Sequence, residues 1–234
     1  MQNKIYLYSI IVLFIFTCLS CNTETSEPDD TRLGFVFFPL ETGLYRVYQV
    51  EQTDYRLTGE IDISRYLLKE AVVDSFRNEM NEYTYILYRY TRSPEDTKWE
   101  IDSAWTAKKS PRQAIVTENN IPFVKLSFPF REGATWNGNS LNTLGVENYT
   151  MVNVNKNFTS DLNNFDNTVT IIHKDNEDTI ISLDRRKEIY AQHVGLIYKE
   201  ALALNYCAQV QCIGKGEIES GTSFKMSLLE NGRE

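Results

Sequence analysis

The sequence predicts a mainly β protein: an antiparallel meander curved into an open sheet, half-barrel or barrel, with little helix. Three observations carry that expectation. Fourteen tyrosines, twelve phenylalanines and three tryptophans in 234 residues favour pleated, half-buried surfaces, where aromatic and β-branched side chains pack well. Apolar and polar residues alternate with period two over many short runs. Polar turn signals separate those runs at short intervals, a spacing that suits sequential antiparallel strands rather than βαβ units. Composition shifts nowhere enough to mark a second domain, so residues 33–234 are expected to fold as one all-β unit.

The chain opens with Met1-Gln2-Asn3-Lys4, an apolar core from Ile5 to Phe16, and Thr17-Cys18-Leu19-Ser20-Cys21. One cation, a short apolar stretch and a small residue before a cysteine have the form of a secretory signal over residues 1–20. Leu19-Ser20-Cys21 resembles the lipobox of bacterial lipoproteins, although Cys18 stands where the lipobox usually has leucine. The resemblance implies acylation at Cys21 and attachment to the cell envelope, in the outer membrane, with the periplasmic or surface side left open. Residues 21–32 hold no large apolar side chain before Leu33 and are read as a lipidated tether. Their acidic run Glu24, Glu27, Asp29 and Asp30 is similar to tracts of surface-exposed Bacteroidota lipoproteins, and equally suits a solvated linker.

The strands are expected in order. Leu44–Val50 alternates cleanly, and Tyr83–Arg92 carries tyrosine on both faces. Trp99–Trp105 sets Trp99, Ile101, Ser103 and Trp105 on one side against Glu100 and Asp102 on the other. Val124–Phe130 alternates until Pro129, which marks an end or an edge. Weaker strands are expected at 149–154, 168–173, 179–183, 194–204 and 223–229. Arg65–Phe76 is ambiguous and read as a strand. Asp184–Ala191 is read as one helical turn with Asp184 as its N-cap. Turns are placed at 93–96, 118–120, 137–139, 174–178 and 220–221. The pattern is similar to the curved-sheet folds of envelope lipoprotein carriers, a likeness of architecture that does not fix function.

A formal net charge of −8 argues against nucleic acid or an anionic membrane surface as partner, since both are bound through cations. No Gly-x-Ser-x-Gly or His-Glu-x-x-His motif occurs, and the two histidines, His173 and His193, lie apart. Cys207 and Cys212 are close enough for a disulfide, which an oxidising compartment would preserve. Free thiols and a metal pair are the alternatives, the latter short of further soft ligands. Glu100 and Asp102 could serve as an acid/base pair or simply as the wet face of a strand. The stretch 161–167 is oxygen-rich but lacks the glycine and terminal glutamate of a calcium loop. Gly216–Ser223 has phosphate-loop glycine spacing with Thr222 where the lysine belongs. Trp136 with Asn137 and Asn139 has the make-up of a sugar platform, and also of a tryptophan plugging one end of a β-structure. The sequence therefore implies no cofactor, no metal and no catalytic centre. It points to a lipid-anchored envelope protein that binds a ligand or an envelope partner. The alternative is a carrier of an apolar ligand or lipid in a half-barrel, and a hydrolase or glycan binder stands further off.

Overall fold

The computed structural model describes residues 30–79, 81–178 and 180–234; the leader, Cys21 and most of the tether lie outside them. Twelve strands form one antiparallel, nearly closed barrel-shaped sheet with very little helix. They are β1 (Leu44–Tyr55), β2 (Ile61–Arg77), β3 (Tyr83–Arg92), β4 (Glu100–Lys109), β5 (Gln113–Glu118) and β6 (Ile121–Ser127). The second half comprises β7 (Thr135–Asn137), β8 (Asn148–Thr159), β9 (Asn164–Asp178), β10 (Ser182–Ala191), β11 (Gly195–Tyr206) and β12 (Ile218–Arg233). Every strand neighbours the next in sequence except at one place. The sheet order runs from β6 back to β1, across to β12, and then back to β7.

The barrel thus closes through β1 and β12, paired from Leu44↔Arg233 to Tyr55↔Gly221, and its seam lies in mid-chain between β6 and β7. Three bonds stitch that seam. The Val124 amide donates to the Gly138 carbonyl at 2.9 Å. The Trp136 indole donates to the Val124 carbonyl at 2.8 Å, and the Asn142 amide donates to the Pro122 carbonyl at 2.8 Å. Edge strands left unpaired would template other chains, and these contacts tie the two edges together at Pro122–Val124.

Ahead of β1, the chain does not start as a strand. Leu33–Leu40 follows a single helical turn, α1 (Asp30–Leu33), with a 3-10 turn at Phe35–Phe37. Gly34 makes the turn possible. Its φ is 87°, and a Cβ there would sit 2.4 Å from the Phe130 ring. Phe35 meets Phe128 edge-on at 4.8 Å, and Phe37 lies 4.9 Å from Phe130. Phe37, Phe38 and Leu40 are buried in a cluster with Leu87, Leu126, Met151 and Ile171. This segment plugs one end of the barrel. Lys109 Nζ donates to the carbonyls of Phe35 and Phe38, both at 3.1 Å, and the His193 amide donates to the Val36 carbonyl at 2.8 Å. A second cluster, built on Tyr48, Val50, Ile197, Met226 and Leu228, fills the wall beside it.

Three local expectations are corrected. Asp184–Ala191 is not a helical turn but most of β10, paired on both sides with β9 and β11. Its charges belong to the ladder: Arg185 reaches Asp175 at 2.9 Å and Glu177 at 3.0 Å. Those partners explain the second correction, because Lys174–Asp178 continues β9 rather than turning. Ser220–Gly221 is likewise inside β12. Gly221, at φ 128°, lets the backbone pass so near β11 that a Cβ would lie 2.1 Å from the Ala203 carbonyl oxygen.

Candidate functional site

Opposite the plug, the barrel is hollow. A cavity of about 880 Å³ opens there, lined by β2, β3, β4, β11 and β12, within the range typical of ligand pockets. Beneath it lies a chamber of about 80 Å³ that ends on the plug residues Phe38 and Leu40. Arg89, Trp105, Lys199 and Phe224 line both.

The chamber holds an ionic network that period-two reading of the sequence did not reveal. Lys125, only 6% exposed, sits 2.7 Å from Glu118 and 3.0 Å from Glu188. Glu188 is 1% exposed and also faces Lys199 at 3.3 Å and His173 at 3.5 Å, while the Tyr190 hydroxyl donates to it at 2.6 Å. Burial opposes every charge here, so the signs report the pairing. Burial alone would lower the Lys125 ammonium, yet Glu188 and Glu118 raise it above its ordinary value. Burial would raise Glu188, but Lys125, then His173 and Lys199, hold it well below the usual carboxylate range. Burial lowers His173, and Glu188 only partly restores it. Its ring stacks on Tyr149 at 3.9 Å, and burial pushes the Tyr149 hydroxyl up to about 12. A separate buried pair, Arg46–Glu70 at 2.8 Å, sits near the plug, and Arg46 also donates to the Val194 carbonyl at 2.7 Å.

The cavity above is built by a β-bulge. Leu87 pairs with Trp105 and Arg89 with Ser103, then the register shifts so that Tyr90 faces Ile101 and Thr91 faces Glu100. Asp102 is the extra residue, and beyond a bulge the face of every side chain reverses. The expected face of this strand is thereby corrected. Ile101 points out, 70% exposed, and Glu100 and Asp102 join Trp105 in the cavity wall. The Arg89 guanidinium carbon sits 3.8 Å over the centre of the Trp105 ring, with a guanidinium nitrogen 3.8 Å from Asp102. Arg92 lies 4.8 Å over Trp99 and donates to the Asp96 carbonyl. Buried Nε of Arg89, Nε of Arg92 and Nε1 of Trp105 have no hydrogen-bond partner among the described residues.

The other expected site residues lie elsewhere. Trp136 is half-buried at the seam, meeting Tyr149 edge-on at 6.0 Å. Asn137 Oδ1 accepts from the amides of Asn139 and Glu147, both at 3.0 Å, and Asn139 is 7% exposed with its carbonyl oxygen taken by Asn142. Gly138 has no positive φ. It is required because the Tyr149 ring lies where a Cβ would be, 2.3 Å away. Cys207 and Cys212 are joined by a disulfide, with Cα atoms 5.8 Å apart, in the loop between β11 and β12. His193, at φ 62°, forms the turn against the plug, far from His173 in the network. Asp161–Asn163 makes the β8–β9 hairpin, with Asp161 paired to Lys225. Among the described residues, no group of histidines, cysteines and carboxylates is placed to hold a metal ion, and no helix is long and apolar enough to cross a membrane.

Fold and cavity together define the class: an up-and-down β-barrel, plugged at one end and open at the other over a charged, aromatic-lined pocket. No protein-family model matches the chain, and no curated protein matches it in sequence. Two solved structures are similar to it. One is described as an exported protein with a YmcC-like fold from Bacteroides fragilis, with 10% identity and a TM-score of 0.41 over 84% of this chain and 99% of that one. The other is described as a lipoprotein from Parabacteroides distasonis, with 12% identity and a TM-score of 0.41 over 84% of this chain and 98% of that one.

Proposed function

We propose that the protein is a lipid-anchored binding module of the bacterial cell envelope, and that its ligand occupies the open end of the barrel. The observation that carries this reading is the cavity itself. It has ligand-sized volume, aromatic walls, and buried N–H donors left without acceptors among the described residues. Unpaired buried donors lower stability, and functional sites are where proteins tolerate such a cost. The plug and the ionic network occupy the other half, which favours a pocket for one small ligand over a lumen for a wholly apolar one.

The chain enters the barrel at its plugged end, at Asp30, and Cys21 lies nine residues upstream in the sequence. An acyl chain on Cys21 would hold the plugged end near the membrane and leave the cavity facing away. Labelled fatty acid fed to cells should mark the wild type and not Cys21→Ser; label that survives the substitution would sink the anchor. Native mass spectrometry of protein taken gently from the envelope should show a small bound molecule that is lost on denaturation. A folded protein with no adduct under any extraction would count against the module.

A second reading, docking of the open end onto an envelope partner, draws on its loops. Leu57, Val146 and Val210, on three separate loops there, are 78%, 77% and 95% exposed, and a partner laid across the rim would bury all three. Crosslinkers placed at Val146 and Val210 should capture one discrete partner if this is right, and a diffuse ladder if it is wrong.

A further inference from the structure

We propose that the open cavity binds a single-chain amphipathic anion, with its carboxylate or phosphate head among Arg89, Arg92 and Lys98 and its tail along Tyr66, Leu68, Trp105 and Phe224. This deepens the reading above and rests on it.

Charge is the first argument. The chain is acidic overall, at −8, yet Arg65, Arg89, Arg92, Lys98 and Lys199 line this one cavity against Asp96, Glu100 and Asp102. Some of those cations are already paired: Arg65 with Glu51 at 2.7 Å, and Lys199 with Glu188 at 3.3 Å. Arg89 meets Asp102 only loosely, at 3.8 Å. That leaves Arg89, Arg92 and Lys98 set against Asp96, Glu100 and Asp102, a locally balanced pocket on an acidic protein, where an anion meets cations at the site and is repelled elsewhere.

Donor chemistry is the second. Arginine and indole nitrogens can only donate, and three buried ones lining this cavity lack acceptors among the described residues. A carboxylate or phosphate supplies several lone pairs at once and fits the guanidinium fork. A cation or a hydrocarbon supplies none.

The floor of the cavity is itself two-sided. Arg89 stacked on Trp105 presents a charged edge and an apolar face side by side. The aromatic and aliphatic residues continue from there down β2 and β12 toward the chamber. A head-and-tail molecule matches that gradient, whereas a uniformly polar sugar or a uniformly apolar lipid matches only half of it.

The test uses the chain from residue 21 onward bearing Cys21→Ser, without the apolar leader, which removes the proposed acylation and the need for detergent. Laurate and dodecyl phosphate, each below its micelle concentration, are titrated by calorimetry beside dodecyltrimethylammonium and dodecyl maltoside. The two anions should bind with one-to-one stoichiometry, and the cation and the neutral probe about tenfold or more weaker, since charge-assisted bonds are lost. Arg89→Gln and Arg92→Gln should each weaken the anions about tenfold, while Arg185→Gln, on another wall, should change nothing. Trp105→Phe should weaken binding while lowering the melting temperature of the free protein only slightly, because it keeps a ring under Arg89 and deletes a buried donor that has no partner among the described residues. Vesicles of phosphatidylglycerol separate the sources of the head group. Binding to vesicles with none to the monomers would overturn the proposal, since the cavity admits one molecule. Equal binding of all four dodecyl probes would overturn the anion preference and leave the module standing. No binding of any probe to folded protein would overturn both.

Discussion

Glu188→Gln offers the sharpest test of what holds the barrel interior. Two ammonium groups, Lys125 and Lys199, are balanced by two carboxylates, Glu118 and Glu188, around a His173 whose burial favours the neutral form. Glutamine keeps the shape and keeps an acceptor for the Tyr190 hydroxyl, but leaves one uncompensated positive charge beside a 6%-exposed Lys125. Removing one partner of a buried ion pair costs about 3–5 kcal/mol. For a barrel of this size that lowers the melting temperature by roughly 6–20 °C. Restoring balance should repair the damage. Glu188→Gln with Lys125→Met leaves Lys199 against Glu118, and the double variant should regain about 1–3 kcal/mol over the single one. Urea denaturation of wild type, both singles and the double closes the cycle, with unchanged slopes securing the comparison. A Glu188→Gln protein within about 0.5 kcal/mol of wild type would overturn this account of the interior, since it would mean that solvation by water, not Glu188, stabilises the Lys125 charge.

Acid should weaken the fold in two steps. The folded values of Glu188 and Glu118 lie below the ordinary 4.5, so the unfolded chain takes up protons first; their contribution is present above about pH 4.5 and is lost as pH falls through the folded values. His173 is also held below its ordinary 6.5, so the unfolded chain protonates first there too, and stability should begin to decline below about pH 6.5. Urea midpoints across pH 4–8 would show it, and a midpoint rising on acidification would contradict both signs. At the seam, Trp136→Ala should cost about 2–4 kcal/mol through lost packing and the bond to Val124. Gly138→Ala should cost about 1–3 kcal/mol by driving into Tyr149; a Trp136→Ala protein that melts like wild type would instead return Trp136 to the role of an exposed ligand platform. Cys207 and Cys212 should resist alkylation in the folded protein until reduced, and reduction should remove at most about 2 kcal/mol from so short a loop.

The meander was legible because alternation and turn signals are local. Leu44–Val50 and Tyr83–Arg92 appear as strands, and β6 ends short of Pro129 as that residue requires. What alternation could not show is which face turns inward after a bulge. At Asp102 one extra residue reverses the strand, so Glu100 reads as solvated in sequence and lines a cavity in the fold. The network was hidden for a related reason. Lys125 and Glu188 are buried because each compensates the other across 63 residues of sequence, and Arg185-Arg186-Lys187-Glu188 on its own suggests nothing but surface. The plug was not foreseen, since no element was expected ahead of Leu44; Gly34 and the ring of Phe130 set the course of Phe35–Leu40 into the core.

Closure of the barrel through β1 and β12 sets the order in which the molecule can be made. β1 finds β2 across a short hairpin, but its other edge waits for residues 221–233. Bringing those ends together costs about 2.5 kcal/mol more loop entropy than closing a ten-residue turn, so this ladder should form late. Until then Leu44–Val50, apolar and rich in β-formers, offers an open template to any other chain. A chain shortened before β12 would carry two such edges, on β1 and on β11. Its fate would be self-association rather than a smaller barrel.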